Sequence, residues 1–238
     1  MNTQEFSNSF DTLVNSYARF KDFDKRELLD SIEFDEYEKS LWLTRAQESL
    51  VIALYNGRNV LGESFESTEE LRRYLDPLVK TKVYLTSEQI AGTGVSAMSK
   101  FYQIPEDLAF IVMEQVALND ASLGCYNGTT VLVRPVTHDE YERVKNNPFV
   151  GPSKRRALRL DAGDGVLEIV SKYTIGNYTI RYISKPTPIV LEDMPDGVSV
   201  DGVSQTTECI LNPLLHNTIL ENAVRMALSS KAVNIKTE

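Results

Sequence analysis

The chain has 238 residues, 42% of them hydrophobic and 25% charged, and its 25 basic and 34 acidic side chains leave a net charge of −9. A chain of this length buries roughly 70–75% of its unfolded surface, enough to form a core without a disulfide or metal. These values exclude a membrane protein, a disulfide scaffold and a basic packaging protein, and they argue against tight binding of duplex DNA.

The opening run MNTQEFSNSFDTL lacks the basic and apolar stretches of a signal peptide. Phe6, Phe10, Leu13, Val14 and Tyr17 recur at helical spacing and predict a first amphipathic helix. A short charged segment with Leu28, Leu29 and Ile32 follows. The strongest helix comes next, DEYEKSLWLTRAQESLVIALYNG, with Asp35 as N-cap, Glu38 three residues on, and Asn56-Gly57 as the stop. Tyr37, Leu41, Leu50, Val51 and Leu54 supply its apolar positions. Ser67 with Glu70 opens another short helix, which Asp76-Pro77 interrupts. Residues 1–80 carry 16 acidic against 10 basic side chains.

After Leu78 the pattern changes. Residues 87–99 are small and polar and read as a loop or lid. Leu108, Phe110, Val112, Glu114, Val116 and Leu118 alternate as in a strand. Thr129–Val136 is a second strand, and Thr137 with Glu140 caps a short helix that Pro148 ends. Further strands are expected at Arg156–Asp161, Val166–Tyr173 and Tyr178–Ser184, with DAGDG (161–165) as a turn and Gly176-Asn177 as a hairpin signal. From Lys185 the chain is extended and punctuated by Pro and Gly. Asn212-Pro213 then starts a final helix with Leu215, Ile219, Ala223, Met226 and Ala227 on its apolar face, fraying from Lys231.

The fold class predicted is α+β: an N-terminal helical bundle packed with an antiparallel β-sheet domain. The helical unit takes residues 1–80, the sheet domain with one inserted helix 81–185, an extended arm 186–211, and a C-terminal helix, 212–230, returns to the helical unit.

Chemistry-bearing patterns are sparse. Two histidines, His138 and His216, cannot build a zinc motif and are expected to face solvent or a partner. Cys125 and Cys209 are far apart and read as free thiols. No catalytic, cofactor or metal residues are assigned, and no cofactor is expected. The candidate interface residues fall in two groups. Lys154, Arg155, Arg156 and Arg159 concentrate positive charge in a domain holding 12 basic and 11 acidic residues. Val190, Leu191, Val198 and Val200 are apolar residues in a loop-like arm, which suggests a partner that covers them.

Several segments resemble a known family in order, among them YEKSLWLTRAQESLVIALYNG, KFYQIPEDLAFIVMEQV, NNPFVGPSKRR and ECILNPLLHNTILENAVRMAL. Together they resemble the structural proteins of crAss-like bacteriophages that form rings between the portal and the distal tail. The resemblance runs from about residue 35 to 228. It implies a virion protein, made in the host cytoplasm, that forms a ring of the head-to-tail connector or tail barrel. The copy number it implies is twelve, by analogy with the portal. Its partners would be itself, the portal and other tail ring proteins, with phage DNA passing through without tight binding and no membrane involved. Two other readings compete: a virion-associated hydrolase, and a nucleic-acid-binding module using residues 154–159.

Overall fold

A computed structural model describes residues 1–21, 33–58, 65 and 68–234. The expected segment around Leu28, Leu29 and Ile32 lies outside the described residues. The chain divides into two compact units, Met1–Leu78 with Pro186–Glu238, and Val79–Lys185.

The helical unit holds α1 (Thr3–Lys21), α2 (Glu36–Tyr55), the short α3 (Glu69–Leu75) and α5 (His216–Asn234). In α1 the spacing of Phe6, Phe10 and Val14 puts all three in the core, with Leu13 half-buried and Tyr17 exposed. Asp35 caps α2 by accepting from the Glu38 amide at 2.6 Å, and Gly57 leaves the helix at φ 73°. The cap of α3 is Thr68, which accepts from the Leu71 amide; the expected Ser67 lies outside the described residues. The buried side of α2 is the expected one at Leu50, Val51 and Leu54 and differs toward the start of the helix. Tyr37 is exposed and Leu41 half-buried, while Lys39, Ser40, Thr44 and Gln47 are buried beside Leu43, Ala46, Leu50, Val51 and Leu54.

Segment 187–191 is what this polar stripe meets. The Thr44 hydroxyl accepts from the Ile189 amide at 3.1 Å and lies 3.3 Å from the Ile189 carbonyl. Ser40 Oγ accepts from the Leu191 amide at 3.0 Å, and Gln47 Nε2 donates to the Thr187 carbonyl at 2.8 Å. Buried amides need partners, and on the side of the segment that faces α2 the helix side chains supply them. The segment then doubles back on itself. Val190 bridges Thr207, Val200 bridges Val203, and Asp201-Gly202 takes positive φ at both positions of the tip, as a type I′ turn requires.

Pro213 follows Asn212, whose side chain accepts from the Leu214 amide, and α5 begins behind them. Leu215, Ile219, Leu220, Ala223, Val224 and Ala227 are buried. Lys231 itself is held, its ammonium donating to the Glu33 carbonyl at 2.9 Å and sitting 3.9 Å over the Phe34 ring, while residues 235–238 of the tail expected to fray lie outside the described residues. A cation on the last turn of a helix also complements the helix dipole.

The sheet unit is seven strands in the order β1-β7-β3-β4-β5-β6-β2 among the described residues. They are β1 (Val79–Tyr84), β2 (Ser99–Gln103), β3 (Leu108–Leu118), β4 (Thr130–Pro135), β5 (Arg156–Gly163), β6 (Val166–Val170) and β7 (Ile175–Ser184). The pairings are antiparallel except β4 with β5, which is parallel. A parallel pair needs a crossover, and α4 (His138–Val144), capped by Thr137, supplies it. Val136, Tyr141, Leu158, Leu160 and Val170 form the small core beneath that helix. The larger core lies on the other face, and there the sheet curls until its edges meet. Tyr84 on β1 donates to the Gln103 carbonyl at the end of β2, and the rings of Tyr84, Tyr102 and Tyr178 lie 4.9–5.5 Å apart. Curling brings two strand edges together that would otherwise be left open.

Two expectations for this unit are corrected. Gly176-Asn177 is not a hairpin turn, because both residues belong to β7, which lies between β1 and β3 while β6 lies between β5 and β2. Gly176 sits at a register shift opposite Ala117 and Leu118, where an added Cβ would come within 3.2 Å of Asn119 Cβ. Its glycine serves close approach, not a turn. For residues 87–99 the loop of the two expected readings holds and the lid is corrected, because the loop is pinned to the sheet. Glu168 accepts from the Val95 amide at 2.7 Å and from Ser99, and a Cβ on Gly94 would fall 2.2 Å from the same carboxylate. DAGDG does form the β5–β6 turn, with positive φ at Gly163, Asp164 and Gly165.

Candidate interface surfaces

The four cations of GPSKRRALRL separate once β5 forms. Residues of opposite parity on a strand face opposite sides of the sheet. Arg156 therefore shares the α4 face with Leu158, and Arg159 turns toward the larger core. Arg159 Nη1 donates to Glu114 at 3.0 Å, and the Tyr178 hydroxyl donates to the other oxygen of the same carboxylate. The Glu114 and Arg159 side chains are only 4% and 13% exposed. Burial pushes the Glu114 carboxyl above its usual range, against the opposing pull of Tyr178 and Arg159. Burial and the neighbouring Glu114 carboxylate push the Tyr178 hydroxyl upward as well. Arg159 thus pairs inside its own subunit, which corrects its expected place among interface cations. Reading residues missed this network, although the signal was present. Glu114 stands at an apolar parity of β3, and a carboxylate there requires a buried partner.

The other three cations stay at the surface. Lys154 lies over the Tyr126 ring at 4.4 Å, Arg155 is exposed, and Arg156 Nη1 donates to the Phe149 carbonyl at 2.7 Å. That bond ties the start of the loop to β5 and holds up Phe149, whose side chain is 85% exposed. Leu132, opposite Arg156 in the β4–β5 register, is 63% exposed. Aromatic and aliphatic side chains beside unpaired cations make an association surface, since water alone covers them.

The arm is a different matter. Val190, Leu191 and Val200 are buried by the chain itself, and Val198 is half-buried. The expectation that a partner must cover them is corrected: the polar stripe of α2 gives the segment its hydrogen bonds, and the return strand at Thr207 closes it.

Titratable groups elsewhere serve the fold. His138 is exposed, as expected, with Nε2 3.3 Å from the Asp161 carbonyl. His216 is only 4% exposed, which corrects its expected exposure, with Nε2 3.1 Å from the Leu211 carbonyl and its ring against Phe6. Burial lowers its pKa below 6.5. A histidine held neutral contributes stability that is present above pH 6.5 and lost as pH falls through the lower folded value. We expect thermal unfolding of the helical unit to show this acid slope, and His216→Gln to flatten it; an unchanged slope would assign the effect to other groups. Cys125 is exposed and Cys209 half-buried beside Gln47, and burial raises the Cys209 thiol. Among the described residues, no group of three or more His, Cys, Asp or Glu side chains could hold a metal ion. No helix there is long and apolar enough to cross a membrane.

Comparison with known proteins places the chain in a family. The family model described as phage tail ring protein 3/4 matches residues 1–238. The chain is 49% identical to Ring protein 3 of Bacteroides phage crAss001, over 97% of this chain and 96% of that protein. It is 30% identical to Ring protein 4/5 of the same phage, over 95% of this chain and 92% of that protein. The chain belongs to the phage tail ring protein family of crAss-like phages, and so is a structural component of the virion.

Proposed function

We propose that copies of this chain close into a ring, twelve to a turn, in the portal-proximal tail barrel that connects head to tail and through which DNA passes. The observation that carries the reading is the match along the full chain to two proteins of one phage, both named as ring proteins. The higher identity to Ring protein 3 supports the corresponding position in a stack of related rings, with the portal and other ring proteins as neighbours. A ring subunit needs two different surfaces that fit each other and close under rotation. The net charge of −9 suits a conduit that repels DNA rather than gripping it. Lys154, Arg155 and Arg156 are assigned to contacts between subunits or between rings.

Exposed ion pairs contribute only ~0–1 kcal/mol each, so replacing one of these arginines by Ala is expected to be mild, unlike a reversal of charge. Replacing Arg155 and Arg156 together by Glu should leave the subunit folded and reduce the number of assembled tails. Counting tails and packaged genomes in one mutant stock separates the two uses of the cluster. Normal tails with lost genomes would assign these cations to DNA.

A further inference from the structure

The ring reading leaves open which surface of one subunit meets which surface of the next, and two features of the chain fit each other. One is the loop of the sheet unit that ends α4 and starts β5. It raises Phe149 into solvent, 85% exposed, and holds its backbone there through the bond from the Arg156 guanidinium to the Phe149 carbonyl. Gly151 makes the loop tight, since a Cβ there would fall 2.5 Å from the Val144 carbonyl and 2.7 Å from that of Asn147. A rigid loop presenting an aromatic side chain loses little conformational freedom when the ring is buried by a partner. Arg155, on the same loop, is exposed and has no ion-pair partner among the described residues.

The other feature is a groove in the helical unit between α1 and α5, about 420 Å³ in volume. Leu13, half-buried, and the small exposed part of the buried Leu220 supply apolar surface, and Asn8, Thr12, Asn217 and Glu221 surround it. The groove has room for a phenyl ring. Glu221 is exposed and has no ion-pair partner among the described residues. Charge is complementary at the scale of the units too: 23 acidic and 12 basic residues in Met1–Leu78 with Pro186–Glu238, against 11 acidic and 13 basic in Val79–Lys185.

We propose that Phe149 of one subunit inserts into the α1–α5 groove of a second copy of this chain, with Arg155 pairing with Glu221 there. The inference rests on the ring reading and deepens it. Loop and groove are different surfaces, so the contact is head-to-tail and propagates around a ring, where a twofold contact would stop at a dimer. A central aromatic anchor with a polar rim is the arrangement that concentrates binding energy at protein interfaces.

The test is a disulfide trap in purified tail particles carrying Phe149→Cys and Asn217→Cys in a Cys125→Ser background. Mild oxidation with diamide should give a ladder of covalent oligomers of this chain, and Phe149→Cys alone should leave it monomeric on a denaturing gel. A second arm reverses charge. Arg155→Glu and Glu221→Arg are each expected to lower ring yield by about threefold to tenfold, and the two together to restore it. Intact rings that give no ladder, or a double reversal without rescue, would overturn the inference and leave the ring reading standing. Particles in which the unmodified chain forms no ring would overturn both.

Discussion

Replacing Arg159 with Leu is expected to destabilise the sheet unit by ~3–5 kcal/mol, the usual cost of leaving one partner of a buried ion pair alone. The substitution leaves Glu114 surrounded by Val116, Tyr178 and Ile180 with only the Tyr178 hydroxyl to satisfy it. The pH dependence tells this apart from a simple packing loss. The folded pKa of Glu114 already stands above its unfolded value of 4.5, so its contribution is fully present below pH 4.5 and lost as pH rises through the folded value. Without Arg159 that loss should steepen. Adding Glu114→Gln should recover much of the stability at neutral pH, because the amide keeps an acceptor for Tyr178 and carries no charge. Urea unfolding of the three proteins at two pH values checks this; equal stability for Arg159→Leu and the parent would show that the pair is not buried in solution.

Thr44→Val is expected to cost the helical unit about 2–4 kcal/mol, far more than a surface threonine would. The change keeps the shape of the side chain and removes the hydroxyl that serves both the amide and the carbonyl of Ile189, each buried. The larger consequence concerns residues 189–205. Deleting them removes the partners of Ser40 and Thr44, so the shortened chain should lose the helical unit's cooperative melt. An arm covered by a partner, as the sequence suggests, would instead be removable without loss of folding. Thermal melts of both variants decide it. A deletion protein that melts cooperatively near the parent temperature would restore the view of a detachable arm.

These cases show where the residues were informative. Capping and punctuation carried the helices: Asp35, Thr137 and Asn212-Pro213 each mark a start by a local hydrogen bond that needs nothing distant. Alternation carried the second half of β3, where Glu114, Val116 and Leu118 are buried, and in β5 parity sorts side chains between two covered faces. Short edge strands were less legible. In β1, VKTKVY interleaves lysines with small β-branched residues, and its pairing with β7 is settled by residues 94 to 104 positions away. The arm was misread for a related reason. Its apolar residues look unpartnered along the chain, and their partners are polar side chains of a helix 140 or more residues earlier. Ser40, Thr44 and Gln47 do fall at helical spacing, a stripe that could have announced an extended segment across α2. The interface cations were legible as a cluster and not as individuals, because strand parity sends Arg159 inward while a loop keeps Lys154 and Arg155 outside.

The central claim is that copies of this chain close into a symmetric ring within the phage tail. Cryo-electron microscopy of the intact virion, with this chain traced in the density of the tail, tests it most directly. The account predicts a closed ring in which each copy meets the next through two different surfaces. Isolated copies decorating the capsid, with no rotational symmetry relating them around the tail axis, would contradict it.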